Sequence, residues 1–251
     1  MTDCLLARID ILAYSKLYDA IPDSLNMRID RIIDAKNRSL ARINAGISPI
    51  QLRDQPMYGD TLDIFCESID GVPAAKLMLD VVSDVMMAIS SEGLLARGAI
   101  CRGDLICDEY KFTGKAMVEA KKIEDEMRGA IVGVSDGVIS LVREEMKELY
   151  PQPKVLDRVM HRLFPDGKHL NVYCHAETVA LDCDDGSFSA DYSYCLMSAI
   201  KMYMDISDSS SNNKDYLMTY ANSCKFHNEC CNSLGLFDQL IDVDSLFRHS
   251  K

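Results

Sequence analysis

Two acidic residues in short apolar runs are the side chains of this sequence best suited to chemistry. Asp10 lies in Ala7-Arg8-Ile9-Asp10-Ile11-Leu12-Ala13-Tyr14-Ser15, and Asp60 in Met57-Tyr58-Gly59-Asp60-Thr61-Leu62-Asp63-Ile64-Phe65. Hard oxygen ligands suit Mg²⁺ or Mn²⁺. A carboxylate that ends an apolar strand ahead of a helix start sets such a cation beside backbone N–H groups that can take phosphate oxygens. A pair of this kind holds divalent metal against a triphosphate, which points to phosphoryl transfer. An acid within an apolar strand is costly to bury without a strong partner, so Asp10 is either a structural carboxylate paired with Arg8 or a metal ligand. Asp60 by itself reads as a turn aspartate, and it gains meaning only from Asp10.

The elements that must position this pair follow from the spacing of apolar residues. Leu5 to Leu12 is an apolar run interrupted by Arg8 and Asp10, as in a central strand whose end emerges at a site. Leu25, Ile29, Ile32, Ile33, Leu40 and Ile43 recur at helical spacing after Pro22-Asp23-Ser24 and before Gly46 and Pro49, which predicts one long helix. Ile50 to Met57 and Thr61 to Glu67 flank Tyr58-Gly59-Asp60 as a hairpin, with Asp60 at or beside its tip. Leu77 to Ile89 is a second amphipathic helix ending near Gly93. Leu95 to Leu105 returns as a strand in which Gly103 marks a close backbone approach. Ala116, Ala120, Ile123 and Met127 share the packing face of a further helix, Ala130 to Val134 is a short buried strand, and Gly137 to Leu149 is helical. The order is βαββαβ followed by αβα. Pro151 and Pro153 suggest a boundary. Beyond it, Val172 to Leu181 and Phe188 to Leu196 read as an added hairpin through Asp184-Asp185-Gly186, Ser207 to Asn213 as a polar loop, and 214 to 247 as helical.

Composition narrows the partners. The chain has 251 residues, 48% of them hydrophobic, enough for one large domain or a core with an appendage. A formal charge of −12 leaves no basic stripe for a nucleic-acid polymer, whereas a small nucleotide needs only a few local cations. No run of eighteen apolar residues and no signal-like N-terminus is present, so a soluble, cytoplasmic protein without membrane contact is expected. The ten cysteines, among them Cys4, Cys66, Cys101, Cys107, Cys174, Cys183 and Cys195, sit mostly in strand-like apolar surroundings and read as free thiols. Cys224, His227, Cys230 and Cys231 lack a paired C-x2-C knuckle and lie on helical-looking sequence, so they do not read as a zinc site.

An Asp on strand one and a second on the following hairpin, within βαββαβ, resemble the catalytic domain of the class III nucleotidyl cyclases. Asp10-Ile11-Leu12-Ala13-Tyr14-Ser15 is similar to that family's first-metal segment and Gly59-Asp60 to its second. Arg97-Gly98-Ala99-Ile100-Cys101-Arg102-Gly103 is similar to its fourth strand, and Phe112-Thr113-Gly114 with Lys115 to Glu124 to the helix after it. The resemblance spans about residues 4 to 134. It implies an α+β fold, a class III cyclase-like βαββαβ core (a ferredoxin-like palm) over 1–150, and a C-terminal hairpin and helical extension over 151–251.

Departures from the pattern are informative. Pro56 stands where purine cyclases carry a base-reading Lys, Val118 where a transition-state Asn is usual, and Lys122 where an Arg is usual. Arg53-Asp54-Gln55-Pro56-Met57-Tyr58 instead is similar to the Arg-x4-Tyr signature of the bacterial pyrimidine cyclases of the Pycsar anti-phage system. That resemblance implies UTP as substrate and cyclic UMP as product, with cyclic CMP from CTP as the alternative. Tyr58 would meet the base and Arg53 would hold Tyr58, the base carbonyls or phosphate.

The implied reaction is attack of the ribose 3′-hydroxyl on the α-phosphorus with loss of pyrophosphate. Two Mg²⁺ or Mn²⁺ ions would be held by Asp10, Asp60 and the Ile11 carbonyl, and N–H groups of Leu12, Ala13, Tyr14 and Ser15 would cradle the β- and γ-phosphates. Arg8, Arg97, Arg102, Lys111, Lys115 and Lys122 are candidate cations; Lys122 is at the transition-state position, and Lys111 is placed to read the base. Family sites are composites of two head-to-tail subunits, which implies a homodimer. A catalytically silent cyclase-like module is the alternative from another class. A diguanylate cyclase is excluded, because Tyr58-Gly59-Asp60-Thr61-Leu62 is not its hairpin motif.

Overall fold

The structure is a computed structural model that describes residues 3–45, 51–67, 73–107, 112–173, 196–203, 213–237 and 240–243. Its centre is strand β1, Asp3–Ile11, whose period-2 alternation divides the molecule into two faces. Leu5, Ala7, Ile9 and Ile11 enter the main core, while Cys4 and Leu6 belong to a second, smaller cluster on the other face, the face that Arg8 and Asp10 share by alternation. β1 lies between two antiparallel neighbours, β3 (Thr61–Cys66) and β4 (Ala96–Asp104). β2 (Leu52–Asp54) extends the sheet beyond β3. β7 (Val132–Val134) runs parallel to β4, which gives the order β2-β3-β1-β4-β7. Between β4 and β7 the chain forms a separate two-stranded ribbon, β5 (Ile106–Cys107) with β6 (Phe112–Thr113).

One face of the sheet is covered by several helices. α2 (Pro22–Asn44) begins with proline at its first turn, where no N–H partner is needed, and buries Leu25, Ile29, Ile32, Leu40 and Ile43. α3 (Ala74–Ser91) buries residues on most of its circumference because it is packed between the sheet, α2 and α5 (Asp136–Leu149). The other face carries α4 (Lys115–Glu126), seated on β4 and β1 through Ala116 and Ala120. Gly103 makes the close approach that its sequence context predicts: a Cβ there would stand 3.1 Å from the Ala116 backbone nitrogen.

The α+β fold and the βαββαβ order are as expected, with differences in detail. A short helix α1, Tyr14–Ala20, precedes α2 and buries only Leu17, too little for a periodic signal. Of the first hairpin arm, expected over Ile50 to Met57, Leu52–Asp54 forms the strand, the Gln55 N–H donates to the Asp63 carbonyl at 3.1 Å and Tyr58 bridges to Thr61, while Ile50 lies outside the described residues. Of the expected added hairpin only its edges are described, Val172 and Tyr173 as a turn and Leu196 in a helix; the rest lies outside the described residues, as does the loop up to 212. Within the expected helical stretch 214–247, α8 (Asn213–Leu234) ends at Gly235 with φ 78, the left-handed geometry of a helix stop; Val243 is helical again, and the residues after it lie outside the described residues.

Past Pro151, α6 (Pro153–Leu163) and the helical residues 196–203 (α7) add Leu156, Val159, Met160, Leu163, Leu196, Ala199, Ile200 and Tyr203 to the main core, so the described part of the extension shares one continuous interior with residues before 150. Cys4, Cys66, Cys101, Cys224, Cys230 and Cys231 are buried and Cys107 is half-buried. Met78 and Met86 fill the core.

Candidate active site

Asp10 and Asp60 meet where β1 leaves the sheet. Antiparallel register sets Asp10 opposite Thr61 on β3 and opposite Arg97 on β4. Asp60 occupies the turn that begins β3. Tyr58 and Thr61 exchange backbone hydrogen bonds of 3.3 Å each way, and Gly59 at φ 64 gives the glycine-first pattern of a type II′ turn. The next pair along, Ile11 with Asp60, is half made. The Ile11 N–H donates to the Asp60 carbonyl at 2.9 Å, and no return bond from the Asp60 N–H to the Ile11 carbonyl forms among the described residues. Two carboxylates and a carbonyl relieved of its ladder bond thus share one corner, an all-oxygen donor set that fits Mg²⁺ or Mn²⁺. Among the described residues no group of three or more His, Cys, Asp or Glu side chains is arranged to hold a metal. Further ligands would have to come from backbone and substrate.

The charges around Asp10 are crowded. Its pKa is pushed up to about 6, first by burial and then by the charges of Asp60 and Glu124, against the lowering effect of Arg97. Arg97 Nε donates to Asp10 Oδ2 at 3.2 Å, and its Nη2 to Glu124 Oε1 at 3.4 Å. Glu124, on α4 and only 1% exposed, also receives Lys121 Nζ at 2.8 Å and faces Arg8 Nε at 3.4 Å. Arg8 reaches on to Asp63 Oδ2 at 3.5 Å. Asp63 is likewise pushed up to about 6, first by burial and further by Glu124, while Arg8 opposes the shift. Arg8 therefore serves Asp63 and Glu124, and the cation on Asp10 is Arg97. Asp63 and Glu124 were missed from sequence as members of the site. The alternation of β1 carried the signal, since Asp63 faces Arg8 once the hairpin register is set at Asp60.

The remaining predicted residues divide by place. Tyr58 is at the turn beside Asp60 and 90% exposed. Arg53 is on β2, opposite Phe65, exposed and paired with Glu67 at 3.0 Å. Lys122 is exposed on α4 and lines an open cavity of about 690 Å³ together with Arg8, Met117, Val118 and Lys121. Lys115 is also exposed, near Asp104, and Arg102 is committed to Asp3 at the far end of β4. Lys111 lies outside the described residues. The segment after Asp10 corrects one expectation. The Leu12 N–H is already bonded to the Leu95 carbonyl at 2.8 Å, so it is not free for phosphate. Ala13 turns the chain at φ 54 and α1 begins at Tyr14, so the Tyr14 and Ser15 N–H groups have no acceptor within the helix. A second cavity of about 660 Å³, lined by Arg28, Arg31 and Glu92, shares none of these residues. His227 is bonded to Tyr173 and approached by Cys231 Sγ at 3.4 Å.

A scan against protein-family models gives no match, and a search of curated proteins gives none. Among solved structures the chain is similar to adenylate cyclases from Trypanosoma brucei, at 15% identity and a TM-score of 0.46, over 59% of this chain and 78% of that one. It is similar to the adenylyl cyclase CyaB from P. aeruginosa at 14% identity and a TM-score of 0.43, over 57% and 81% of the two chains. For the guanylate cyclase domain of RhGC from Catenaria anguillulae the values are 10% and 0.44, over 56% and 82%.

Proposed function

We propose that this chain is a pyrimidine nucleotidyl cyclase that converts UTP to 3′,5′-cyclic UMP and pyrophosphate, as a cytoplasmic second-messenger synthase of anti-phage defence. The observation that carries the chemistry is the meeting of Asp10, Asp60 and the half-freed Ile11 carbonyl at the end of β1. Two Mg²⁺ or Mn²⁺ ions bound there would supply Lewis acidity at the 3′-hydroxyl and the triphosphate. Asp10 and Asp60 hold them. The N–H groups of Ala13, Tyr14 and Ser15 receive phosphate oxygens, Lys122 offsets charge that develops on the α-phosphoryl group, and Tyr58 supplies an aromatic face to the single-ring base. Arg53, whose pair with Glu67 is exposed and therefore weak, turns to the base or the phosphates. Lys111 donates to a base carbonyl. A head-to-tail homodimer brings α4 of one subunit, with Lys122, over Asp10 and Asp60 of the other.

The test is incubation of the full chain with each of the four nucleoside triphosphates and Mn²⁺, followed by chromatography. Cyclic UMP from UTP is expected, and Asp60→Ala should cut turnover at least about 100-fold with an unchanged circular dichroism spectrum. Retained activity in that variant overturns the metal assignment. Cyclic CMP from CTP alone would make the enzyme a cytidylate cyclase, and consumption of ATP or GTP a purine cyclase. A second reading, a silent cyclase-like nucleotide-binding module, is favoured by Arg97 already resting on an Asp10 oxygen. It would be established by the absence of cyclic product from all four.

A further inference from the structure

We propose that Tyr203, in the C-terminal extension, is a positioning residue for the metal corner at the end of β1. This deepens the cyclase reading and rests on it for the metal. The β1–β4 ladder has Asp10 opposite Arg97 and Ile11 opposite Ala96. Continuing that register sets Leu12 opposite Leu95. Because the Ile11 N–H points the other way, to Asp60, the Leu12–Leu95 pair is of the kind that exchanges two backbone bonds. Only one is direct, from the Leu12 N–H to the Leu95 carbonyl at 2.8 Å. The Tyr203 hydroxyl stands in place of the other: it accepts from the Leu95 N–H at 3.3 Å and donates to the Leu12 carbonyl at 2.8 Å.

The wedge has two effects. Both backbone groups are satisfied away from water, so the opened pair carries no desolvation penalty. The relay is also longer than a direct bond, which parts the strands on that side just where Ala13 enters its left-handed turn at φ 54. Leu12 follows directly on Ile11 and Asp10, so its direction fixes where the Ile11 carbonyl and the Asp10 carboxylate point. Tyr203 is itself firmly held. It is 2% exposed, completes the buried stripe Leu196, Ala199, Ile200, Tyr203 at helical spacing, and meets the Tyr220 ring edge-on at 6.0 Å. The extension thereby reaches into the metal corner through one hydroxyl.

The experiment compares Mn²⁺ binding by the full chain, followed by electron paramagnetic resonance of free Mn²⁺, in wild type, Tyr203→Phe, Ile200→Ala and Asp10→Asn, with thermal melts of each. Tyr203→Phe keeps the ring in its pocket and removes only the relay. Ile200→Ala weakens the same helix and leaves the Tyr203 hydroxyl in place. The expected result is loss of binding in Asp10→Asn, about tenfold weaker binding in Tyr203→Phe, and a lowered melting temperature with wild-type affinity in Ile200→Ala. Wild-type affinity in Tyr203→Phe while Asp10→Asn loses binding overturns the proposal and leaves the metal reading standing. Equal weakening in Tyr203→Phe and Ile200→Ala overturns it too, because general destabilisation would then explain both. Undiminished binding in Asp10→Asn overturns the metal reading and the proposal with it.

Discussion

Asp63 pairs with Arg8 and touches neither proposed metal ligand, and so it isolates the electrostatics of the fold from those of catalysis. Its folded pKa, about 6, exceeds the ordinary 3.8. Between those values the folded chain holds a proton that the unfolded chain has released, so this group's contribution to stability falls as pH rises from about 4 through about 6. Asp63→Asn should therefore gain on wild type as pH increases across that window and hold a constant difference above it, in urea unfolding of metal-free protein. A variant that instead loses ground with rising pH would mean that the ion pair with Arg8 outweighs burial. Tyr58 tests recognition at the same scale. Because the residue is exposed, Tyr58→Ala should move stability by no more than about 0.5 kcal/mol. Loss of a base-stacking face is worth about 1–3 kcal/mol, so turnover of UTP should fall by about 5- to 150-fold. A melting curve beside a UTP saturation series separates the two effects.

The placement of α4 on the sheet is a matter of elements. Only small groups, Gly103 on β4 and Ala116 and Ala120 on α4, let the helix settle close enough for Glu124 to meet Arg8 and Arg97. Gly103→Val should cost about 1–3 kcal/mol by overpacking. It should also lower activity more than its stability loss predicts, since it lifts Lys122 along with the helix. Denaturant midpoints and kcat together check this. These elements are also where the sequence was most legible. β1, α2, α3 and β4 declare themselves by apolar period, and Gly59-Asp60 declares the turn by its chemistry, so the placement of Asp10 near a strand end and of Asp60 on the turn follows from local patterns. α1 does not, because seven residues with a single buried position carry no period. Nor does Tyr203, whose partners lie 108 and 191 positions away and whose hydroxyl looks from sequence like any core tyrosine. The full mesh of charges around Glu124 stayed hidden for a similar reason, as it needs three strands and a helix to be in register first.

For the whole molecule, no helix of the described residues is long and apolar enough to cross a membrane, and the charge of −12 repels nucleic-acid backbones. The proposed dimer would use the α4 side of the sheet, where Val118 is 72% exposed beside Met117 and Lys122. Val118→Glu should shift the proposed dimer toward monomer in sedimentation velocity and cut activity in proportion, because each composite site needs both subunits. A fully active monomeric variant would rule out shared sites. The single buried carboxylate of Glu124 gives this surface a further significance. One acid is divided among Arg8, Arg97 and Lys121, and Arg97 in turn is divided between Glu124 and Asp10. Any partner that presses on α4 therefore competes, two contacts removed, for the guanidinium that neutralises Asp10. Thermodynamic reciprocity then requires that whatever factor subunit docking adds to cation uptake, cation uptake returns to docking. If docking draws Arg97 toward Glu124 and off Asp10, assembly would tighten as divalent ion is titrated in, and a chain diluted below its association constant would lose its hold on the ion at the same time.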